Sequence, residues 1–106
     1  MAADDLSRYD EFDALRVDRP APHVLRITLD APGLNAVGPD AHAQLAEVWR
    51  AVDRDPDTRV ALLRGEGRGF SAGGSFELIE SMMGDDESVR LRVMREARDL
   101  VMNVID

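Results

Sequence analysis

The sequence of 106 residues has no cysteine, no lysine and only two histidines. Without cysteine there is no disulfide framework and no thiolate chemistry, which fits an expected cytoplasmic setting. Without lysine there is no Schiff-base nucleophile and no P-loop lysine, so all thirteen basic residues are arginine. His23 and His42 show no metal-ligand spacing, and both are read as surface residues; no metal is expected. Long apolar runs are missing as well. None approaches the roughly 18 residues of a spanning helix, so no membrane insertion is expected. The net charge of -8 argues against a nucleic-acid groove and an anionic membrane surface. The acidic start Met1-Ala2-Ala3-Asp4-Asp5 has neither the basic nor the apolar region of a signal peptide.

What is present describes one small globular domain, 44% apolar and 32% charged. Residues 1–11 read as a polar leader, and residues 12–106 as the folded part. Phe12 to Val17 alternates weakly in the manner of a strand, and Arg19-Pro20-Ala21-Pro22 breaks it. Val24–Leu29 is a stronger strand, and the two predict an antiparallel pair joined at the prolines. Leu34-Asn35-Ala36-Val37 reads as an ordered loop. Gly38-Pro39 then opens a helix with Asp40 near its positive end. Ala41, Leu45, Val48, Trp49 and Val52 form its buried stripe, with Trp49 as core. Val60–Leu63 is a short continuous apolar run, the pattern of a strand buried on both faces. Strand, helix and strand from 24 to 63 predict a right-handed βαβ unit. A helical segment follows from Phe76 to Met83. A last helix runs from about Glu87 to Ile105, capped by Asp85 or Asp86, with arginines on its solvated flank.

Five of the eight glycines fall between Gly65 and Gly74, just past the carboxyl end of the Val60–Leu63 strand. In open α/β sheets that end is where ligands bind. Gly67-Arg68-Gly69-Phe70-Ser71-Ala72 has the letters of a dinucleotide fingerprint. The fingerprint needs an acidic residue about 20 positions later at a strand end, and here that segment is helical and arginine-rich. Gly69-Phe70-Ser71-Ala72-Gly73 has the letters of a nucleophile elbow. Both histidines precede Ser71, so no downstream base is available to it. Ser71 reads instead as a turn residue. The third reading is an oxyanion-hole turn.

Taken together, Leu34-Asn35-Ala36-Val37, Asp55-Pro56-Asp57-Thr58-Arg59-Val60-Ala61-Leu62-Leu63-Arg64-Gly65 and Gly69-Phe70-Ser71-Ala72-Gly73-Gly74 resemble the crotonase (enoyl-CoA hydratase/isomerase) family. The resemblance covers about residues 12–106 and matches the N-terminal part of such an enzyme. It implies an α/β fold of the crotonase type, a spiral of ββα units. This chain would supply the strand pair, the βαβ unit, the Gly-rich oxyanion turn and the long helix.

The resemblance also implies roles for individual residues. Gly74 would donate its backbone N–H to a thioester oxygen. Ala36, Ala72 and Gly73 would lie along the coenzyme, as would Phe76 and Glu77. Glu80, Met82 and Met83 would lie near the acyl tail, where flexible thioethers suit an adaptable pocket. Three positions depart from the family pattern. Ser75 stands where many members have Asp. Leu34 stands where many have a basic residue, leaving Arg26 or Arg68 as substitute phosphate contacts. Glu77 stands where some have Lys.

The implied activity is that of an enoyl-CoA hydratase-like lyase of fatty acid metabolism acting on an acyl-CoA thioester. Coenzyme A is part of the substrate and no other cofactor is needed. The alternatives are a family isomerase, hydrolase or decarboxylase, or a non-catalytic acyl-CoA-binding or oligomerising homologue. A homotrimer or dimer of trimers is implied as the assembly. The second oxyanion donor and the two catalytic glutamates are expected beyond Asp106, so the 106-residue piece alone is expected to be inactive.

Overall fold

Alternating apolar residues build the central strand, and the rest of the fold is laid on it. The computed structural model describes residues 6–71, 73–84 and 86–105, with the side chains of Phe76 and Ile105 outside that description. Strand β2 (Val24–Leu29) lies between β1 (Arg16–Ala21) and β3 (Val60–Gly65), giving the order β1-β2-β3. β1 pairs with β2 antiparallel and β3 pairs with β2 parallel. Leu25, Ile27 and Leu29 point to one face and are buried, the period of two expected of a strand with one covered side. Helix α2 (Pro39–Asp53) covers that face with Leu45 and Val48, while Tyr9, Phe12 and Leu15 complete the core. Trp49 packs against this core, as its place on the helical stripe predicts.

Several expectations need correction. The first strand does not span 12–17. Phe12 and Leu15 are buried from a turn, and the strand begins at Arg16 and runs through Pro20. Pro20 is tolerated because β1 is an edge strand and its register shifts between Asp18 and Ala21, so no ladder bond is lost there. Within the stretch read as a leader, residues 7–9 form a 3-10 turn that buries Tyr9. Met1–Asp5 lie outside the described residues. β3 is not buried on both faces. Val60 and Leu62 are 56% and 47% exposed, whereas Ala61 and Leu63 face α2 and are partly buried. Arg26 and Asp18 pair across the strands on the open face, so the Arg26 side chain is engaged in the sheet.

The chain continues through α3 (Phe76–Met83) into α4 (Glu87–Ile105), as the patterning predicts. Asp86 caps α4 by accepting the Ser88 hydroxyl and N–H, and these bonds hold its carboxyl below the usual range. Asp85 lies outside the described residues. α4 packs along α2 through Val93, Glu96, Leu100 and Asn103, a 3-4-3 spacing that keeps one stripe facing its neighbour. Asn103 Nδ2 donates to the Ala46 carbonyl at 2.7 Å. His42 is not a surface residue: its Nδ1 lies 2.8 Å from Glu96 Oε1 between the two helices, and its side chain is 14% exposed. The adjacent stripe of α4, with Met94, Val101 and Val104, is exposed. No helix among the described residues is long and apolar enough to cross a membrane.

A buried polar knot ties the chain start to the α2–β3 connection. Asp55, 5% exposed, accepts the Tyr9 hydroxyl at 2.6 Å and the Thr58 hydroxyl at 2.8 Å on Oδ2, and the Asp57 N–H at 2.9 Å on Oδ1. Arg19 Nη2 stands 3.3 Å from the same carboxylate, with both side chains nearly inaccessible. Burial alone would raise the Asp55 pKa. The bonds from Tyr9, Asp57 and Thr58, with the charge of Arg8, outweigh it and bring the carboxyl from 3.8 to about 2. Burial and the bond to Asp55 push the Tyr9 hydroxyl up from 10.0 to about 12.

The signs fix the pH response. Asp55 has a depressed folded pKa, so its contribution is present above pH 3.8 and disappears as pH falls toward 2. Tyr9 has a raised folded pKa, so its contribution is present below pH 10.0 and disappears as pH rises toward 12. Urea unfolding followed from pH 2 to 12 is expected to show a plateau between these limits and a loss of ~2 kcal/mol on each side. In Asp55→Asn the acid limb is expected to flatten, and an unchanged limb in that variant would show that the carboxylate plays no such part.

Candidate functional site

Beyond β3 the backbone must turn sharply, and the turn is built around one buried amide. α1 (Pro32–Asn35) is a single turn in which Gly33, Leu34 and Asn35 all have positive φ, at 69°, 58° and 60°. Glycine adopts this region freely and asparagine tolerates it, but a leucine there is strained. Asn35 is 4% exposed and holds the turn in place. Its Oδ1 accepts the Ala31 N–H at 3.0 Å, closing the turn on itself. Its Nδ2 donates to the carbonyls of Glu66, Gly69 and Phe70 at 2.9, 3.2 and 3.2 Å. Three backbone oxygens of the glycine loop therefore converge on one side chain.

Gly65 is where that convergence requires glycine. A Cβ there would lie 2.2 Å from the Phe70 carbonyl oxygen and 2.4 Å from that of Gly69. At Gly73 the requirement is conformational, with φ at 98°. Ser71 Oγ donates to the Asn35 carbonyl at 2.8 Å and accepts the Gly73 N–H at 3.1 Å. It is thus a turn residue, with no base beside it among these partners.

The loop then runs beside Val37 as an isolated parallel bridge. The Val37 N–H donates to the Gly73 carbonyl at 2.7 Å, and the Ser75 N–H donates to the Val37 carbonyl at 2.8 Å. Backbone groups of successive extended residues point to opposite sides. With Gly73 C=O and Ser75 N–H turned toward Val37, the Gly74 N–H is turned away. Among the described residues it has no hydrogen-bond partner, and Gly74 is exposed. A Cβ on Gly74 would stand 3.3 Å from Leu78 Cδ2, so the turn packs closely against α3. Ser75 caps α3, its Oγ accepting the Leu78 N–H at 3.1 Å, so the turn survives with serine in that position. The positive end of the α3 dipole lies one residue from the Gly74 N–H.

An open groove of ≈ 410 Å³ adjoins the turn, lined by Ala31, Ala36, Gly38, Asp40, Ser75 and Glu77 among others. It brings together two of the expected coenzyme positions, Ala36 and Glu77. Gly73 and Gly74 do not line it. On α3, Glu80 is exposed, Met82 is half-buried and Met83 is 78% exposed, and none of them reaches this groove. Arg68 is exposed at the tip of the loop. Ala72 lies outside the described residues, as does the Phe76 side chain. No group of acidic or histidine side chains able to hold a metal occurs among the described residues.

Ser71 is the turn residue its sequence setting predicts, whereas the role of the Asn35 side chain is the one that sequence reasoning did not assign. The signal for it was Asn following Gly-Leu: asparagine is a favoured non-glycine residue for a left-handed turn, and a buried one needs partners.

No family model matches the chain. By sequence it is 42% identical over 59 residues to the mevalonyl-coenzyme A hydratase SIDH of Beauveria bassiana, covering 55% of this chain and 21% of that protein. It is 49% identical over 51 residues to the 1,2-epoxyphenylacetyl-CoA isomerase of Escherichia coli, covering 47% of this chain and 20% of that protein. The structure of an enoyl-CoA hydratase/isomerase from Mycobacterium paratuberculosis superposes with a TM-score of 0.74 at 36% identity, over 85% of this chain and 36% of that one. The chain thus spans about a fifth of the curated relatives and about a third of the solved structure. These are enoyl-CoA hydratase/isomerase (crotonase) family proteins, so the resemblance read from residues 34–37, 55–65 and 69–74 holds. The described residues carry part of the crotonase fold.

Gly65→Ala is expected to cost about 3 kcal/mol, because the new methyl overlaps backbone oxygens that Asn35 holds in place. Chemical denaturation of the two proteins measures this, and a difference under ~0.5 kcal/mol would mean that the loop can relax away from Asn35.

Proposed function

We propose that this N-terminal portion of a crotonase-type fold supplies one backbone donor of an oxyanion hole to an enoyl-CoA hydratase-like enzyme acting on an acyl-CoA thioester. The observation that carries the reading is the Gly74 N–H, turned outward with no partner among the described residues. When an enolate forms from a thioester, negative charge gathers on the thioester oxygen. A fixed amide aimed at that oxygen stabilises the charge without reorganising, and losing one such donor costs a factor of about 10²–10³ in kcat elsewhere. The groove beside Ala36, Ser75 and Glu77 would accept part of the coenzyme. Its small residues allow close approach, and the exposed Arg68 remains as the phosphate contact.

The proposed reaction is addition of water across the 2,3-double bond, with the acid and base glutamates and the second oxyanion donor supplied by sequence outside these 106 residues. Coenzyme A enters as part of the substrate, with no separate cofactor. The assembly is a homotrimer or a dimer of trimers in the cytoplasm. The relatives include a mevalonyl-CoA hydratase and an epoxyphenylacetyl-CoA isomerase. Isomerisation therefore stands as the second reading, because the same hole serves either reaction.

Calorimetry of the 106-residue chain tests the donor directly by comparing crotonyl-CoA with S-butyl-CoA, a thioether that lacks the carbonyl. The thioester is expected to bind about 5-fold more tightly, the value of one hydrogen bond, with no turnover. Equal affinities would contradict a donor at Gly74. Hydration by this chain alone would contradict the assignment of the acid and base to sequence outside it.

A further inference from the structure

We propose that Asn35 and Ser71 are positioning residues that fix the direction of the Gly74 N–H by immobilising the peptide planes on both sides of Gly73. The inference rests on the oxyanion reading of Gly74 for its functional meaning, but its geometry stands independently. A peptide unit is planar and trans, so the C=O of one residue and the N–H of the next point in opposite directions within one rigid plate. The plate that carries the Gly74 N–H therefore also carries the Gly73 C=O. That carbonyl is held by the Val37 N–H at 2.7 Å, and whatever orients Val37 orients the Gly74 donor.

Val37 lies two residues after Asn35, at the exit of the left-handed turn that the Asn35 side chain closes through Ala31. The neighbouring plate, which carries the Gly73 N–H, is held by Ser71 Oγ at 3.1 Å. Ser71 Oγ is itself fixed, since its proton is committed to the Asn35 carbonyl at 2.8 Å. Asn35 also pins the start of the loop through the carbonyls of Glu66, Gly69 and Phe70. Both ties thus lead back to one residue.

The ties matter because of what sits between them. Gly73 has φ 98° and no side chain, so its two plates rotate more freely than at any other residue type. Free of Val37 and Ser71, the Gly73–Gly74 plate can flip and present a carbonyl oxygen where the donor was. An oxyanion facing a carbonyl is repelled rather than stabilised. Ser71 is therefore neither a nucleophile nor a passive turn former: its hydroxyl spans the gap between the Asn35 turn and the Gly73 amide.

The test uses the 106-residue chain labelled with ¹⁵N, as wild type, Ser71→Ala, Ser71→Thr and Asn35→Asp. Two amides are read: hydrogen exchange at Gly73, and the shift of the Gly74 resonance when crotonyl-CoA is added. In Ser71→Ala, Gly73 exchange is expected to quicken about 5-fold, the loss of one hydrogen bond, and the Gly74 shift to shrink. Ser71→Thr keeps a hydroxyl and is expected to restore both. Asn35→Asp replaces the donor with an acceptor facing three carbonyls and is expected to do the same damage more severely. Should that variant fail to fold, the serine pair carries the test. Unchanged Gly73 exchange in Ser71→Ala, or a threonine variant that behaves like the alanine one, would overturn the proposal. A merely structural serine would lower the melting temperature and leave the Gly74 response intact. If the wild-type Gly74 resonance ignores crotonyl-CoA while exchange responds as expected, the positioning stands and the oxyanion reading falls.

Discussion

One buried side-chain amide holds the glycine-loop end of this fold. Asn35 offers two N–H protons to three backbone carbonyls of a loop 31 to 35 residues further along the chain. Each of those carbonyls would otherwise face either water or its neighbours at close range. A buried polar group left without a partner costs about 1–3 kcal/mol, so losing this amide exposes several such costs at once. The glycine at position 65 is the complement of that arrangement, since its missing Cβ is what lets the Gly69 and Phe70 carbonyls come so close. Strain is stored nearby in Leu34, a branched residue in the left-handed region. The loop and the turn are therefore one unit made from two distant segments.

That unit is placed by the sheet. The parallel pairing of β2 and β3 sets Leu29 opposite Gly65, and the Glu66 N–H donates back to the Leu29 carbonyl at 2.8 Å. The two strand ends thus deliver residues 30–37 and 66–75 to the same edge. At the opposite end of the sheet, the Tyr9–Asp55–Arg19 knot fixes where β3 begins. A buried ion pair is weak evidence for added stability, because desolvation offsets much of its attraction. Here it links three segments that are distant in sequence, the chain start, β1 and the α2–β3 connection.

Much of this was legible in the residues because it is periodic. The α2 and α4 stripes follow from a spacing of 3.6, and the strands at 24 and 60 from short β-branched and apolar runs bounded by turn residues. The glycine turn was legible because five glycines in ten positions can serve few purposes. What escaped depends on partners far away in sequence. Phe12 and Leu15 imitate a strand, yet they are spaced by three and serve a turn under the core. Nothing local says that Arg26 will meet Asp18, because that requires the β1–β2 register. His42 finds Glu96 only once α4 lies on α2. Asn35 belonged to a motif that could be seen, but its role requires three carbonyls supplied by another loop. The open face of β3 contradicts an expectation drawn from composition alone, since an apolar run does not say what will cover it.

The outward direction of one N–H, at the Gly73–Gly74 turn beside Val37, is the feature on which the proposed function depends. A crystal structure of the chain with a bound acyl-CoA thioester tests this most directly. The account predicts the thioester oxygen at about 2.7–3.1 Å from the Gly74 nitrogen, with Asn35 and Ser71 still holding the loop. A thioester bound elsewhere, or a Gly73–Gly74 peptide flipped so that its carbonyl faces the ligand, would contradict it.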